Sequence, residues 1–167
     1  MKRLICIIIV IFSILSLYAC ANSQDEISYL RIHIRANSNS DEDQNVKYGV
    51  KDIVVTYLTP FVKDCVSIDQ VKEIINEHHD NVVTLVSNYL YENGFEYGCT
   101  MNINNEFFPT RTYGDVTLES NYYDAIIINL GSGQGNNWWC VVYPPLCFSG
   151  QNIVYKSKIV ELIKKYL

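Results

Sequence analysis

The residues best suited to chemistry in this 167-residue chain crowd into one stretch. Residues 135 to 148, GNNWWCVVYPPLCF, hold Trp138, Trp139, Cys140, Tyr143, Pro144, Pro145 and Cys147. Three chemistries fit those types at that spacing: a nucleophilic thiol, a disulfide-closed turn, and an aromatic docking surface. A cysteine hydrolase would use Cys140 as nucleophile with a histidine to activate it. His33, on the polar face of an early strand, is the candidate base. Against this, two prolines between Cys140 and Cys147 favour a turn that brings the sulfurs together. Closing so short a loop adds about 2–3 kcal/mol by chain entropy. Trp138 and Trp139 are adjacent, so on a strand they face opposite sides. One can enter the core while the other, near Tyr143 and the prolines, serves as an interface anchor or a sugar platform. Burial of both is the competing reading.

Other constellations carry less. Asn37, Asn39, Asp41 and Asp43 place oxygens at alternate positions, as a calcium loop does. Glu42 replaces the required glycine, however, and Tyr48 the bidentate acid, so a helix cap explains them better. Gly131 to Gly135, GSGQG, matches neither phosphate-binding glycine pattern and precedes a strand, which makes it a hairpin loop. His78 and His79 point about 100° apart on a helix, and no Cys-x-x-Cys occurs, so no metal site is expected.

The compartment follows from the N-terminus. Lys2 and Arg3 precede an apolar run from Leu4 to Leu17, too short for a comfortable membrane span but suited to a secretory leader. Cleavage after Ala21 is the first expectation. Lipidation of Cys20, in a lipobox-like Leu17-Tyr-Ala-Cys20, is the second, and an uncleaved anchor the third. Residues 1–21 are therefore read as a signal peptide and 22–167 as one exported domain. Export removes two positive charges and takes the net charge from −5 to −7, leaving no basic stripe for nucleic acid. Four cysteines remain, read as two disulfides: Cys140–Cys147, and Cys65–Cys99.

The elements that must position these residues are legible from periodicity. Ser28 to Ala36 alternates, with Leu30, Ile32 and Ile34 on one face and Arg31, His33 and Arg35 on the other, predicting a half-buried strand. Ser40 caps a helix whose stripe runs from Val46 to Phe61 and which is expected to end near Pro60. Ser67 and Gln70 form a capping box for a second helix running to Gly94. Strands follow at Tyr97–Asn104, Tyr123–Leu130 and Trp138–Tyr143, with an irregular crossing segment over residues 107–121. A short helix over Tyr155–Tyr166 closes the chain. The fold class is α+β: a two-layer sandwich, mostly antiparallel, with two long helices and a C-terminal helix.

On these residues the chain resembles the stage II sporulation protein R family. Three stretches carry the likeness. The first is Arg31-Ile-His33 with Ala36-Asn-Ser38, Ser40, Asp43-Gln44, Lys47 and Val50-Lys-Asp52. The second is Pro109-Thr-Arg-Thr-Tyr-Gly114. The third is Gly135 with Asn137-Trp-Trp-Cys-Val141 and Pro144-Pro-Leu-Cys147. The resemblance implies a signal rather than an enzyme, needing no cofactor. Such proteins are made in the forespore and exported between its two membranes. There they trigger a membrane-embedded aspartic protease of the mother cell, which removes the pro-sequence of the sigma-E precursor. On that reading the interaction surface comprises Arg31, His33, Arg111, Tyr113, Trp138, Trp139, Tyr143, Pro144 and Pro145. The hydrolase with Cys140 and a glycan-binding module using Trp138 or Trp139 stand as alternatives.

Overall fold

The computed structural model describes residues 28–147; the expected leader and terminal helix lie outside them. In chain order the elements are β1 (Leu30–Arg35), α1 (Asp41–Val62), α2 (Ile68–Glu77), α3 (His79–Glu92) and β2 (Cys99–Phe108). Then come β3 (Arg111–Tyr113), β4 (Val116–Leu118), β5 (Asn121–Leu130) and β6 (Asn137–Tyr143). The class is α+β, as expected. A four-stranded sheet runs β2-β5-β1-β6, with β1 parallel to β5 and the other pairs antiparallel.

The helices pack on one face of this sheet. Val46, Val50, Val54, Leu58 and Val62 recur every fourth residue along α1 and meet Leu30, Ile32, Ile34, Ile126, Ile128, Cys140 and Val142. The Ser40 side chain accepts from the Asp43 N–H to start α1, and three acids in the first turn suit the helix dipole. α1 passes its expected stop at Pro60 and ends at Val62. Proline in the last turn removes only one intrahelical bond, and Lys63 N–H still reaches the Thr59 carbonyl at 3.1 Å. The second helix is two: the chain bends at His78, whose φ of −94° and ψ of 3° fall outside the helix. The bend gives both histidines a partner. His78 Nδ1 lies 2.7 Å from the Tyr57 hydroxyl, while His79 Nε2 donates to the Met101 carbonyl at 3.0 Å.

Two expectations need correction. β1 is not half-buried: with neighbours on both sides, Leu30 to Ile34 are all buried, Arg31 and His33 included. The supposedly irregular segment contains the β3–β4 hairpin, with Tyr113 opposite Val116 and Gly114 at a φ of 59°, as a tight primed turn needs.

The β1–α1 turn is anchored by one carboxylate. Asp43 accepts from Ser38 Oγ (2.5 Å), Asn37 Nδ2 (3.0 Å) and the Tyr97 hydroxyl. Burial pushes this carboxyl up, but the bonds from Ser38, Tyr97 and Asn37 outweigh it and hold it below the usual range. The same turn clamps the β5–β6 loop. Ser132 N–H and Asn136 N–H donate to the side chains of Asn37 and Asn39, and Lys47 Nζ donates to the Asn136 carbonyl at 3.0 Å. Three of the four calcium-like side chains, those of Asn37, Asn39 and Asp43, are thus engaged within the fold. Gly135 donates to the Ala36 carbonyl at 2.8 Å, and a side chain there would collide with the Ser38 carbonyl oxygen. Gln44 Nε2 holds that oxygen in place at 2.8 Å. Gly135→Ala is therefore expected to destabilise the domain by about 1–3 kcal/mol in thermal or urea unfolding. An unchanged midpoint would show that the clamp yields.

Candidate functional site

The sheet face away from the helices is where the chemically able residues gather. On β1 the period of two sends Arg31, His33 and Arg35 to this side. Register places Ala125 and Ile127 of β5, and Val141 and Trp139 of β6, beside Arg31 and His33. Phe108, at the end of β2, packs with Ala125 and Ile127, and Tyr123 and Trp139 lean on that cluster. The β3–β4 hairpin adds Tyr113 and Arg111.

Arg31 has no exposed surface. Its guanidinium carbon lies 4.2 Å from the centroid of the Phe108 ring and 4.9 Å from that of Tyr123. Nη2 donates to the Tyr113 hydroxyl at 2.8 Å, but Nε and Nη1 have no hydrogen-bond partner. The His33 ring, equally enclosed, sits 4.9 Å from Trp139 and 5.2 Å from Phe108. Its Nε2 comes within 3.1 Å of Glu106 Oε2, yet off the line a hydrogen bond requires, so neither ring nitrogen is bonded. Glu106 is instead held by Arg35 Nη2 at 2.6 Å. Burial, then the charges of Arg35 and Arg31, lower the His33 pKa to about 4. Arg111, exposed on the hairpin, lies 5.9 Å over the Trp139 ring.

The nine residues named as an interaction surface therefore do not form one. Arg31, His33, Arg111, Tyr113 and Trp139 come together on this face. Arg31 and His33 are inside it rather than on it, because β1 is a central strand under aromatic cover. Trp138 turns to the helix side, and neither tryptophan is fully exposed. Tyr143 donates to the Val66 carbonyl at 2.8 Å and, with Pro144, walls an open groove between the sheet end and the α1–α2 connection. Pro145 is partly buried in the following turn.

The cysteines separate in the same way. Cys140 and Cys147 form a disulfide, their Cα atoms 6.2 Å apart. Cys140 faces the helices while His33 faces away from them, so the two cannot act as nucleophile and base as placed. The expected Cys65–Cys99 bridge is absent: both thiols are free. Cys99 is spoken for locally, 3.6 Å from the Val83 carbonyl, and burial pushes both thiols up, which keeps them protonated. Among the described residues no cluster of His, Cys, Asp and Glu could hold a metal, and no helix is long and apolar enough to cross a membrane.

Sequence reasoning missed Glu106, Phe108 and Tyr123. For the first two a signal was available. The alternation that gives Asn102 and Asn104 one face of β2 continues through Glu106 to Phe108, four residues past the expected strand end.

The comparisons with known proteins add a family. The model of stage II sporulation protein R matches residues 26–152. The stage II sporulation protein R of Bacillus subtilis (strain 168) is 36% identical over 119 residues, 71% of this chain and 53% of that protein. The chain thus matches about half the length of that relative. No solved structure matches.

The buried imidazole sets a pH dependence. A histidine whose folded pKa lies near 4 binds its proton more readily when unfolded. Its stabilising effect is complete above about pH 6.5 and lost as the pH falls towards 4. At pH 5 the loss is about 2 kcal/mol. His33→Phe, which keeps the ring contacts, should flatten the fall in melting temperature between pH 7 and 5 relative to wild type. Parallel curves would contradict the assignment.

Proposed function

The chain belongs to the stage II sporulation protein R family, which gives it a role in sporulation, and we propose that it acts there as an exported signalling ligand. In this reading the leader at residues 1–21 directs it into the space between forespore and mother cell, tethered there if Cys20 is lipidated. It binds and activates a membrane-embedded aspartic protease of the mother cell, which then processes the sigma-E precursor. Binding, not catalysis, is its contribution.

One observation carries the reading. All three stretches that mark the family send residues to a single sheet face: Arg31 and His33 from the first, Arg111 and Tyr113 from the second, Trp139 from the third. Arginine and tryptophan in a compact patch are the residues that dominate protein interfaces. Five further signature residues, Asn37, Ser38, Asp43, Lys47 and Gly135, are occupied in the loop clamp. The disulfide-bonded, helix-facing Cys140 weighs against the hydrolase alternative. The partial cover on both tryptophans weighs against a sugar platform.

Co-expression of the chain with the protease and the sigma-E precursor, scored by precursor cleavage, tests this. Wild type is expected to give cleavage. Arg111→Ala should reduce it about tenfold or more while the melting temperature holds, since an interface arginine contributes about 2 kcal/mol or more. Trp139→Ala should reduce it too, with some loss of stability. Full cleavage by both variants would move the interface elsewhere, and no cleavage by wild type would remove the ligand reading.

A further inference from the structure

A buried guanidinium ordinarily comes with an acid. Arg31 makes no ion pair among the described residues, and Glu106, which reaches this layer, is bonded to Arg35. Arg31 keeps two nitrogens without a hydrogen-bond partner, and neither nitrogen of its neighbour His33 makes a hydrogen bond, although Nε2 lies 3.1 Å from Glu106 Oε2. Both side chains have no exposed surface and both touch the ring of Phe108. Leaving a charge buried and unpaired is expensive, whereas an apolar side chain of similar volume would be neutral or stabilising. The fold alone gives no reason to keep Arg31 here.

The cover over this layer is slight. β3 and β4 are three residues each, pair only with one another, and join no strand of the main sheet. The Tyr113 hydroxyl occupies one Arg31 nitrogen, as a stand-in for a stronger acceptor. Charge is also concentrated here. Beyond residue 27 the sequence has three arginines, Arg31, Arg35 and Arg111, and all three belong to this face of an otherwise acidic chain.

We propose that Arg31 and His33 form a recessed receptor for a carboxylate on an acidic segment of the partner protein, uncovered when the β3–β4 hairpin lifts. The inference rests on the ligand reading above and adds the chemistry of the partner. A carboxylate accepts two parallel bonds from a guanidinium edge, and each edge of Arg31 joins one unpartnered nitrogen, Nε or Nη1, to the Nη2 that Tyr113 now engages. His33, held neutral by its surroundings, donates one further bond. The aromatic walls exclude water and strengthen each bond. Tyr113, displaced, releases the third arginine nitrogen.

The test uses the domain of residues 22–167 titrated with tetraglutamate, tetraglutamine and acetate. Trp139 emission and the His33 ring resonances report occupancy. Saturable binding of tetraglutamate alone is expected, weakened about tenfold or more by Arg31→Met. Tyr113→Phe, which keeps the guanidinium and removes its internal acceptor, should bind tetraglutamate more tightly than wild type. Arg31→Met should melt no lower than wild type yet fail to trigger precursor cleavage, the combination a merely structural arginine would not give.

Absence of saturable tetraglutamate binding by both wild type and Tyr113→Phe overturns the proposal. So does equal affinity for acetate, which would make this a small-anion site, or full cleavage by Arg31→Met. Should wild type bind tetraglutamate yet trigger no cleavage, the receptor stands and the identity of the partner falls.

Discussion

A strand with neighbours on both edges and layers on both faces has to hide every side chain it carries, and β1 is that strand. Leu30, Ile32 and Ile34 meet this demand easily against the helices. Arg31 and His33 meet it only because Phe108, Tyr123, Tyr113 and Trp139 converge on them from four other strands. The position of β1 therefore dictates the aromatic layer, the pairing of Arg35 with Glu106 and the need for a hairpin over the sheet. It also creates the unpaired polar atoms, for aromatic faces can offset a cation in part but accept no conventional hydrogen bonds.

The residues that mark the family divide by physical role. Those at the β1–α1 turn build a polar clamp around the Asp43 carboxylate, which fixes where α1 begins and where β6 starts. Without it the register that sets Trp139 opposite His33 would have no anchor at its open end. The disulfide secures the other end of β6, tying Cys140 to the turn after Pro144 and Pro145. The tryptophans thus sit on a strand held at both ends, and the hairpin beside them is the lightly held element. A rigid platform under a small movable cover suits a protein that works by being recognised.

Much of this was legible from residue types. The period of two in Leu30–Arg35 and the capping residues Ser40 and Ser67 gave correct elements, and the Pro-Pro turn between Cys140 and Cys147 pointed to their bridge. What spacing could not show was neighbourhood. Alternating apolar and polar residues read as half-buried, because nothing local reveals that a strand is central and that its polar side will also be covered. The break at His78 goes with tertiary contacts that spacing cannot show: His78 meets Tyr57, 21 residues away, and His79 meets Met101, 22 residues away. Cys65 and Cys99 invited pairing by number alone. The tertiary fold gives Cys99 a berth beside Val83 and leaves Cys65 at the end of α1, next to the Phe61 carbonyl. The hairpin hid because three-residue strands are too short to display a period.

The central claim is that the hairpin-covered sheet face, not the helical one, is the working surface. Amide hydrogen exchange of residues 22–167, alone and mixed with the proposed partner protease in detergent, addresses it directly. Slower exchange in the complex is predicted at residues 106–118 and 137–143, with α1, α2 and α3 unchanged. Protection confined to the three helices, with the hairpin exchanging as before, would contradict it.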